Sequence, residues 1–320
     1  MTILQASHCR FSVRGLCLLG LAWAVLGSGS LVTAWAVELG VVESGANESG
    51  ANESENAFKL MTYNIRYDNF QDGKDAWVHR ADTVVDLLSK QDLFGLQEVT
   101  AGQLKTLLAR LPEFDFYGLG REDGRGRGEH APIGIRKSRF EALERGTFWL
   151  SKNPDRVGVA GWDAALPRTC TWMLVKDRVS GKKLWVANTH FDHRGSTARL
   201  ESARLIKRVV TEQPLAIPVV VMGDFNCLPK SPPFMALVSG QSLKDARVLS
   251  QQKVAGPNST WNGFREIDSG RIIDHIFVRG SIRIETLSTL NPKTSVGRYA
   301  SDHLPVQVLV GWPQSDVTGN

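Results

Sequence analysis

Short apolar runs of strand length recur along the chain, at 59–64, 93–96, 133–136, 171–175, 184–189, 219–222, 272–278, 282–287 and 306–310. Most are rich in Val and Ile and bounded by Gly, Asp or Asn, which predicts buried β-strands. Helical spacing appears between them. Residues 80–90 place Val84, Val85, Leu87 and Leu88 on one face, 102–111 repeat Leu104, Leu107 and Leu108, and 197–211 carry Leu200, Leu205, Ile206, Val209 and Val210. The first part alternates strand and helix, whereas later strands follow one another with only turns between them. That mixture predicts an α/β chain of two sheets packed face to face with helices outside, rather than one all-parallel sheet. Ser180-Gly181-Lys182-Lys183 and Arg279-Gly280-Ser281 carry the residue types of hairpin turns and predict antiparallel pairings.

The segments around this pattern do not share it. Arg10 and Arg14 precede an uncharged apolar stretch, and Ala34-Trp35-Ala36 has the form of a cleavage site, so residues 1–36 read as an export leader or, uncleaved, as a membrane anchor. Residues 37–57, in which Glu-Ser-Gly-Ala-Asn nearly repeats, read as a solvated linker; its two glycosylation sequons, at Asn47 and Asn52, matter only in a eukaryotic secretory pathway. Residues 58–312 are long enough for one large domain with a full core, followed by a tail at 313–320. The formal charge of +5 falls to +3 without the leader, which does not mark a nucleic-acid binder. Outside the leader two cysteines remain, Cys170 and Cys227, both beside strand-like runs; they read as buried thiols in preference to a disulfide.

Chemistry collects where the apolar runs end. Asn64 and Glu98 each close a strand, and a carboxylate beside an amide oxygen suits Mg²⁺. Val219 to Met222 run into Gly223-Asp224-Phe225-Asn226, where alternate residues point the same way, so that Asp224 and Asn226 can hold one water between them. Asp274 interrupts an apolar strand and calls for an imidazole partner, which His303 in Ser301-Asp302-His303 can supply; His275 faces the other side of the sheet and reads as structural. His190, in Asn188-Thr189-His190-Phe191-Asp192-His193, can donate to a phosphate oxygen or protonate a leaving alkoxide, with Asn188 and Asp192 as further polar partners of the substrate. Arg168 reads equally as a phosphate clamp or a surface residue. Residues 120–129, with Arg121, Arg125 and Arg127 among glycines, read as a mobile basic lip, and Trp149, Trp162 and Trp172 as rim or core. A His/Asp zinc site ranks behind magnesium or manganese, because no second His follows at helical spacing.

Taken in order, Met61-Thr62-Tyr63-Asn64, Gln97-Glu98, Asn188-Thr189-His190, Gly223-Asp224-Phe225-Asn226, Ile273-Asp274 and Ser301-Asp302-His303 resemble the motif series of the endonuclease/exonuclease/phosphatase superfamily. Six motifs in the same order, spanning residues 58–311, make the resemblance specific. It implies the deoxyribonuclease-I-like fold, a four-layered α/β/β/α sandwich of two mixed, mainly antiparallel sheets. It further implies a divalent-metal cluster of Asn64, Glu98 and Asp302, water activation by Asp224 and Asn226, a polarising pair of His303 with Asp274, and His190 at the scissile phosphate. Segments such as Gly146-Thr147-Phe148-Trp149-Leu150-Ser151 resemble an exported bacterial branch, and His130 stands where some nucleases place a catalytic Tyr. The expected activity is metal-dependent phosphoester hydrolysis on a small phosphate ester, a nucleotide, a phospholipid head group or nucleic acid, with no obligate protein partner. The rival is a catalytically silent glycan- or lipid-binding member of the same fold.

Overall fold

The computed structural model describes residues 56–313 except Ser242; the leader, the repeat segment up to residue 55 and the tail beyond 313 lie outside the described residues. Twelve strands form two six-stranded sheets. The first contains β1 (Phe58–Asn64), β2 (Leu93–Gln97), β3 (Phe114–Tyr117), β4 (Ile133–Arg136), β11 (Arg283–Thr289) and β12 (Val306–Gly311), in the order β11-β12-β1-β2-β4-β3. The second contains β5 (Phe140–Trp149), β6 (Thr169–Asp177), β7 (Lys183–His190), β8 (Val219–Asp224), β9 (Lys244–Asp245) and β10 (Asp274–Arg279), in the order β5-β6-β7-β8-β10-β9. Helices α1 (Trp77–Leu88) and α2 (Ala101–Arg110) cover the outer face of the first sheet. Helices α3 (Ser196–Glu212) and α4 (Pro232–Val238) cover that of the second, and the short α5 (Ala246–Leu249) follows β9. The architecture is therefore the deoxyribonuclease-I-like one, with two mixed, mainly antiparallel sheets flanked by helices.

Each sheet has one parallel pair, β1 with β2 and β7 with β8, and every other pairing is antiparallel. Parallel neighbours need a crossover, and α1 and α3 are those crossovers. The arrangement gathers chemistry at one edge. The carboxyl ends of β1, β2, β7 and β8 carry Asn64, Glu98, His190 and Asp224, and the antiparallel neighbours β10 and β12 begin there, bringing Asp274, Asp302 and His303.

Three apolar layers hold the stack. Phe58, Leu60, Val186, Val220, Met222 and Val308 fill the space between the sheets, and the outer faces pack on the helices, as Val84 and Leu88 do on one side and Ile206 and Val210 on the other. One polar staple crosses the central layer. Asn188 is fully buried; its Nδ2 donates to the carbonyls of Leu96 (2.7 Å) and Pro132 (3.0 Å), and its Oδ1 accepts from Gln97 Nε2 at 2.6 Å. Asn188→Ala would leave buried partners unpaired, and we expect it to cost about 2–4 kcal/mol in urea unfolding. A loss below about 0.5 kcal/mol would remove the staple from the account.

Three of the sequence expectations need correction. Arg279-Gly280-Ser281 is a turn but not a hairpin, because β10 belongs to the second sheet and β11 to the first. Strands β3, β5 and β9 were not expected from the apolar runs; β5 lies at a sheet edge with Glu141, Glu144 and Arg145 exposed. Residues 120–129 are tied by their own backbone, through Gly120 to Arg125 and Glu122 to Arg127, and Arg121 turns inward to Glu129 (2.7 Å). Cys170 and Cys227 are free and buried. No helix among the described residues is long and apolar enough to cross a membrane.

Candidate active site

The backbone at the gathered strand ends is held in unusual shapes. Of the non-glycine residues in left-handed conformation, Arg66 (φ 56°), Glu98 (φ 62°) and Asn226 (φ 46°) all line one cleft. Such strain persists only where surrounding contacts enforce it. Arg80 does so from behind: fully buried, it donates to the carbonyls of Asp75, Ile65, Ala300 and Arg66, joining the loops that follow β1 and precede β12. Gly223 is required in the Gly-Asp-Phe-Asn segment, because with φ 152° a Cβ there would lie 2.0 Å from the Thr189 carbonyl oxygen.

The cleft has a volume of about 560 Å³, and Asp224 is among the residues that line it. Its Oδ1 accepts from the Asn226 backbone N–H (2.9 Å) and its Oδ2 from Asn64 Nδ2 (3.0 Å), while His190 Nε2 stands 3.4 Å and His303 Nε2 3.6 Å from Oδ2. Burial, and next the charge of Asp274, raise its pKa to about 7. His303 Nδ1 meets Asp274 Oδ2 at 2.9 Å. Burial alone would lower the pKa of His303, but the carboxylates of Asp274 and Asp224 outweigh it and raise the value to about 10, so the ring is cationic at neutral pH. The hydroxyl of Thr260 accepts from the N–H groups of Ile273 and Asp274, which fixes the Asp274 carboxylate against the ring.

His190 behaves differently. Burial, then the charges of Arg168 and Arg121, hold its pKa well below the usual range, so the ring is neutral. Its Nε2 lies 3.2 Å from Asn226 Nδ2 and 3.4 Å from Asp224 Oδ2, and its Nδ1 faces Glu129 at 3.9 Å. The neutral ring thus stands within hydrogen-bond distance of the Asn226 amide at the edge of the cleft.

The cleft is lined by groups of both charges. Arg168 is buried, with Nε 3.4 Å from Asp192 and an Nη2 contact to His193 Nδ1 at 2.9 Å, and its Nη1 has no partner. Asp192 does not line the cleft; burial would raise its pKa, but the backbone N–H groups of Gly195 and Arg194 bring it to about 2, and it serves to hold Arg168. Glu98, Glu129 and Asp302 line the same cleft, Glu129 against Arg121 at 2.7 Å and Asp302 with Arg66 Nη1 at 3.9 Å. Burial raises the pKa of both Asp302 and Glu129, and the charge of Glu98 raises both further. Asn64 presents its nitrogen to Glu98 and Asp224 (3.0 Å each), with its oxygen accepting from the Arg66 N–H.

Other expected residues lie elsewhere. Asn188 sits beneath the cleft as the inter-sheet staple, and His130 is buried with Nδ1 on the Val99 carbonyl. Trp149, Trp162 and Trp172 belong to the layer outside the second sheet or its margin; Trp149 donates to the Arg121 carbonyl and Trp172 stacks on Trp185. His275 turns away from the cleft to the Cys227 carbonyl among Phe225, Phe234 and Phe277. The cleft also uses His193, from the segment that carries His190, and Arg66, Tyr67, Glu129, Trp261 and Arg271, from loops without motif character.

Two places in the cluster have cation-binding character. The ligand atoms of Asp224, Asp274 and His303 all lie within 4.8 Å of one another, a buried acidic and imidazole group consistent with a divalent ion. Glu98 and Asp302 are hard oxygen donors open to the cleft, and their mutual repulsion is what a cation relieves.

Known proteins are similar to this chain in sequence and, where structures exist, in fold. An endonuclease/exonuclease/phosphatase from Bacteroides vulgatus is 37% identical, with a TM-score of 0.74 over 80% of this chain and 99% of that one. A mannosyl-6-phosphatase from Bacteroides thetaiotaomicron is 34% identical, with a TM-score of 0.73 over 79% of this chain and 99% of that one. Among curated proteins, an uncharacterized protein of Acanthamoeba polyphaga mimivirus is 23% identical over 248 residues, 73% of this chain and 91% of that one. The pattern of the Endonuclease/Exonuclease/phosphatase family matches residues 61–303, from within β1 to the histidine of the Asp274 pair. With strand ends, acid–imidazole cluster and sequence all in agreement, this chain belongs to the endonuclease/exonuclease/phosphatase family.

Proposed function

We propose that the protein is a divalent-metal-dependent phosphoester hydrolase acting outside the cell on small phosphomonoesters, sugar phosphates first among them. The observation that carries the reading is Asp224, pressed between a cationic His303 and a neutral His190 in a cleft that also holds Arg168 with an unpartnered Nη1. The 34% identity to a mannosyl-6-phosphatase supports a sugar phosphate, and the apolar leader supports export.

Glu98 and Asp302 would hold the metal, because they face the cleft, whereas Asp274 does not line it and is already paired with His303. A divalent cation bound there neutralises charge on the phosphoryl oxygens. The protein's own groups do the rest. Asn226 directs a water, and Asp224, its pKa near the operating pH, takes the water's proton as the oxygen bonds to phosphorus. The phosphorus–alkoxide bond breaks, and the alkoxide takes its proton from solvent. His303 and Arg168 meet the charge that develops on the phosphoryl oxygens.

Activity on a hexose 6-phosphate should vanish in EDTA and return with Mg²⁺, with Mn²⁺ as a substitute and Zn²⁺ inferior. Undiminished turnover in excess chelator would remove the metal from the reaction.

A further inference from the structure

Arg66, two residues beyond β1, is held in a shape that an arginine does not adopt unforced. Its backbone is left-handed, at φ 56°. The N–H donates to Asn64 Oδ1 at 3.0 Å, and the carbonyl accepts from Arg80 (3.2 Å) and Gln103 (2.9 Å). The guanidinium is fixed as firmly: Nε and Nη2 grip both oxygens of Asp72, at 3.0 and 3.1 Å, and the group lies 4.3 Å from the centre of the Tyr67 ring. Nη1 lies outside this grip and stands 3.9 Å from Asp302 Oδ2, too far for a hydrogen bond, where Arg66 lines the cleft.

We propose that Arg66 is a catalytic residue: its Nη1 donates to the oxygen of the leaving alcohol and stabilises the negative charge which that oxygen takes as its bond to phosphorus breaks. The inference rests on the hydrolase reading above.

Displacement at phosphorus is in line, so the oxygen that leaves lies opposite the water that attacks. Asp224 and Asn226 define the attacking side. Asn64 gives the direction away from it: Nδ2 donates to both Asp224 Oδ2 and Glu98 Oε1, at 3.0 Å each, and Glu98 Oε2 accepts from the Tyr67 N–H at 3.1 Å. The row Asp224, Asn64, Glu98, Tyr67 therefore runs from the attacking side to the loop of Arg66. Arg168 and Arg66 divide in the same way. The carboxylates whose charge acts on Arg168 are Glu129, Asp192 and Asp224, and those acting on Arg66 are Asp302, Glu98 and Asp72. Arg168 thus serves the end where water enters, and Arg66 the end where the alcohol departs.

As the water oxygen bonds to phosphorus, its proton passes to Asp224, and the alcohol oxygen departs with the electron pair of the bond it loses. That oxygen is an alkoxide until solvent protonates it. A guanidinium stays cationic throughout, so Arg66 supplies charge and a hydrogen bond but no proton. Its effect grows as the bond breaks, which makes it act on the transition state more than on the bound ester. Backbone strain held in place by three hydrogen bonds and a two-pronged ion pair is the mark of a side chain aimed in advance.

Arg66→Gly removes the side chain, and glycine takes the left-handed shape without strain. The test measures kcat/KM in the full chain with Mg²⁺ for substituted phenyl phosphates of rising leaving-group basicity, ending on a hexose 6-phosphate. Rates should fall along the series more steeply in Arg66→Gly than in wild type. The variant should lie about threefold below wild type on p-nitrophenyl phosphate, whose departing anion is stable by itself, and about a hundredfold below on the sugar ester. Arg66→Lys, which keeps the charge but not the fork, should fall between the two. A loss of folded protein lowers every rate of one variant alike, so it cannot imitate the steeper slope. Equal losses on all the esters overturn the assignment of Arg66 to the leaving oxygen and leave the hydrolase reading standing. A wild type that cleaves no ester of the series overturns that reading, and this inference with it.

Discussion

Asp224→Asn should lower kcat by about two to four orders of magnitude while leaving the protein as stable as the wild type, or more so, at neutral pH without metal. The carboxylate is nearly inaccessible and takes hydrogen bonds from Asn226 on one oxygen and Asn64 on the other, so an isosteric amide fits the space and keeps one of the two, but cannot accept a proton from water. Stability moves the other way for an electrostatic reason. Burial and the Asp274 charge lift the pKa of Asp224 from 3.8 to about 7 in the folded chain. A folded value above the unfolded one means that this group's stabilising contribution is complete below about pH 4 and is lost as the pH rises toward 7. Melting in EDTA across that window should therefore show a decline in the wild type that is weaker in the variant. Turnover within threefold of wild type would sink the assignment of Asp224 as base, whereas a variant that melts well below wild type would show a structural role instead.

Much of this centre was legible because its residues occupy the ends of unmistakable strands. Val219 to Met222 can hardly be anything but a buried strand, and the polar residues that follow must emerge at its edge. Depth was not legible. Asn188 and His190 share a face of β7, but two residues of strand separate them by about 7 Å, enough to put one in the cleft and the other under its floor. The loops were silent for a different reason: Arg66, Glu129, Trp261 and Arg271 come from segments with neither periodicity nor motif, and only the tertiary fold brings them to the cleft. Arg80 sits in a helix where its type reads as surface, yet four carbonyls claim it. At 279–281 the turn chemistry was read correctly and its partner wrongly, because Gly-Ser after a strand fixes a reversal and not the sheet to which the next strand goes. Strand β5 escaped because an edge strand protects itself with charges, which erases the apolar run by which strands are found.

His303 and Asp274 should fail as a unit. Asp274→Asn keeps the shape of the pair but removes the charge that holds the imidazole protonated, and His303→Gln removes the cation directly. Each should reduce kcat by about a hundredfold to a thousandfold, and the double variant should be no worse than about threefold below the poorer single one, since both remove the same positive charge from the phosphoryl oxygens. The reason is geometric. Asp274 opens β10 directly opposite Asp224 in the sheet, its backbone N–H fixed by Thr260, while Trp261 closes on the ring of His303 at 4.7 Å and 87°, leaving Nε2 directed toward Asp224. A readout independent of turnover is the titration of the His303 ring by NMR. In the wild type without metal it should stay protonated to about pH 10, and in Asp274→Asn its pKa should fall, because burial, which lowers it, would meet less opposition. If the two losses multiplied in the double variant, or if His303 titrated normally in the wild type, the charge held by this pair would not be what the phosphoryl group meets.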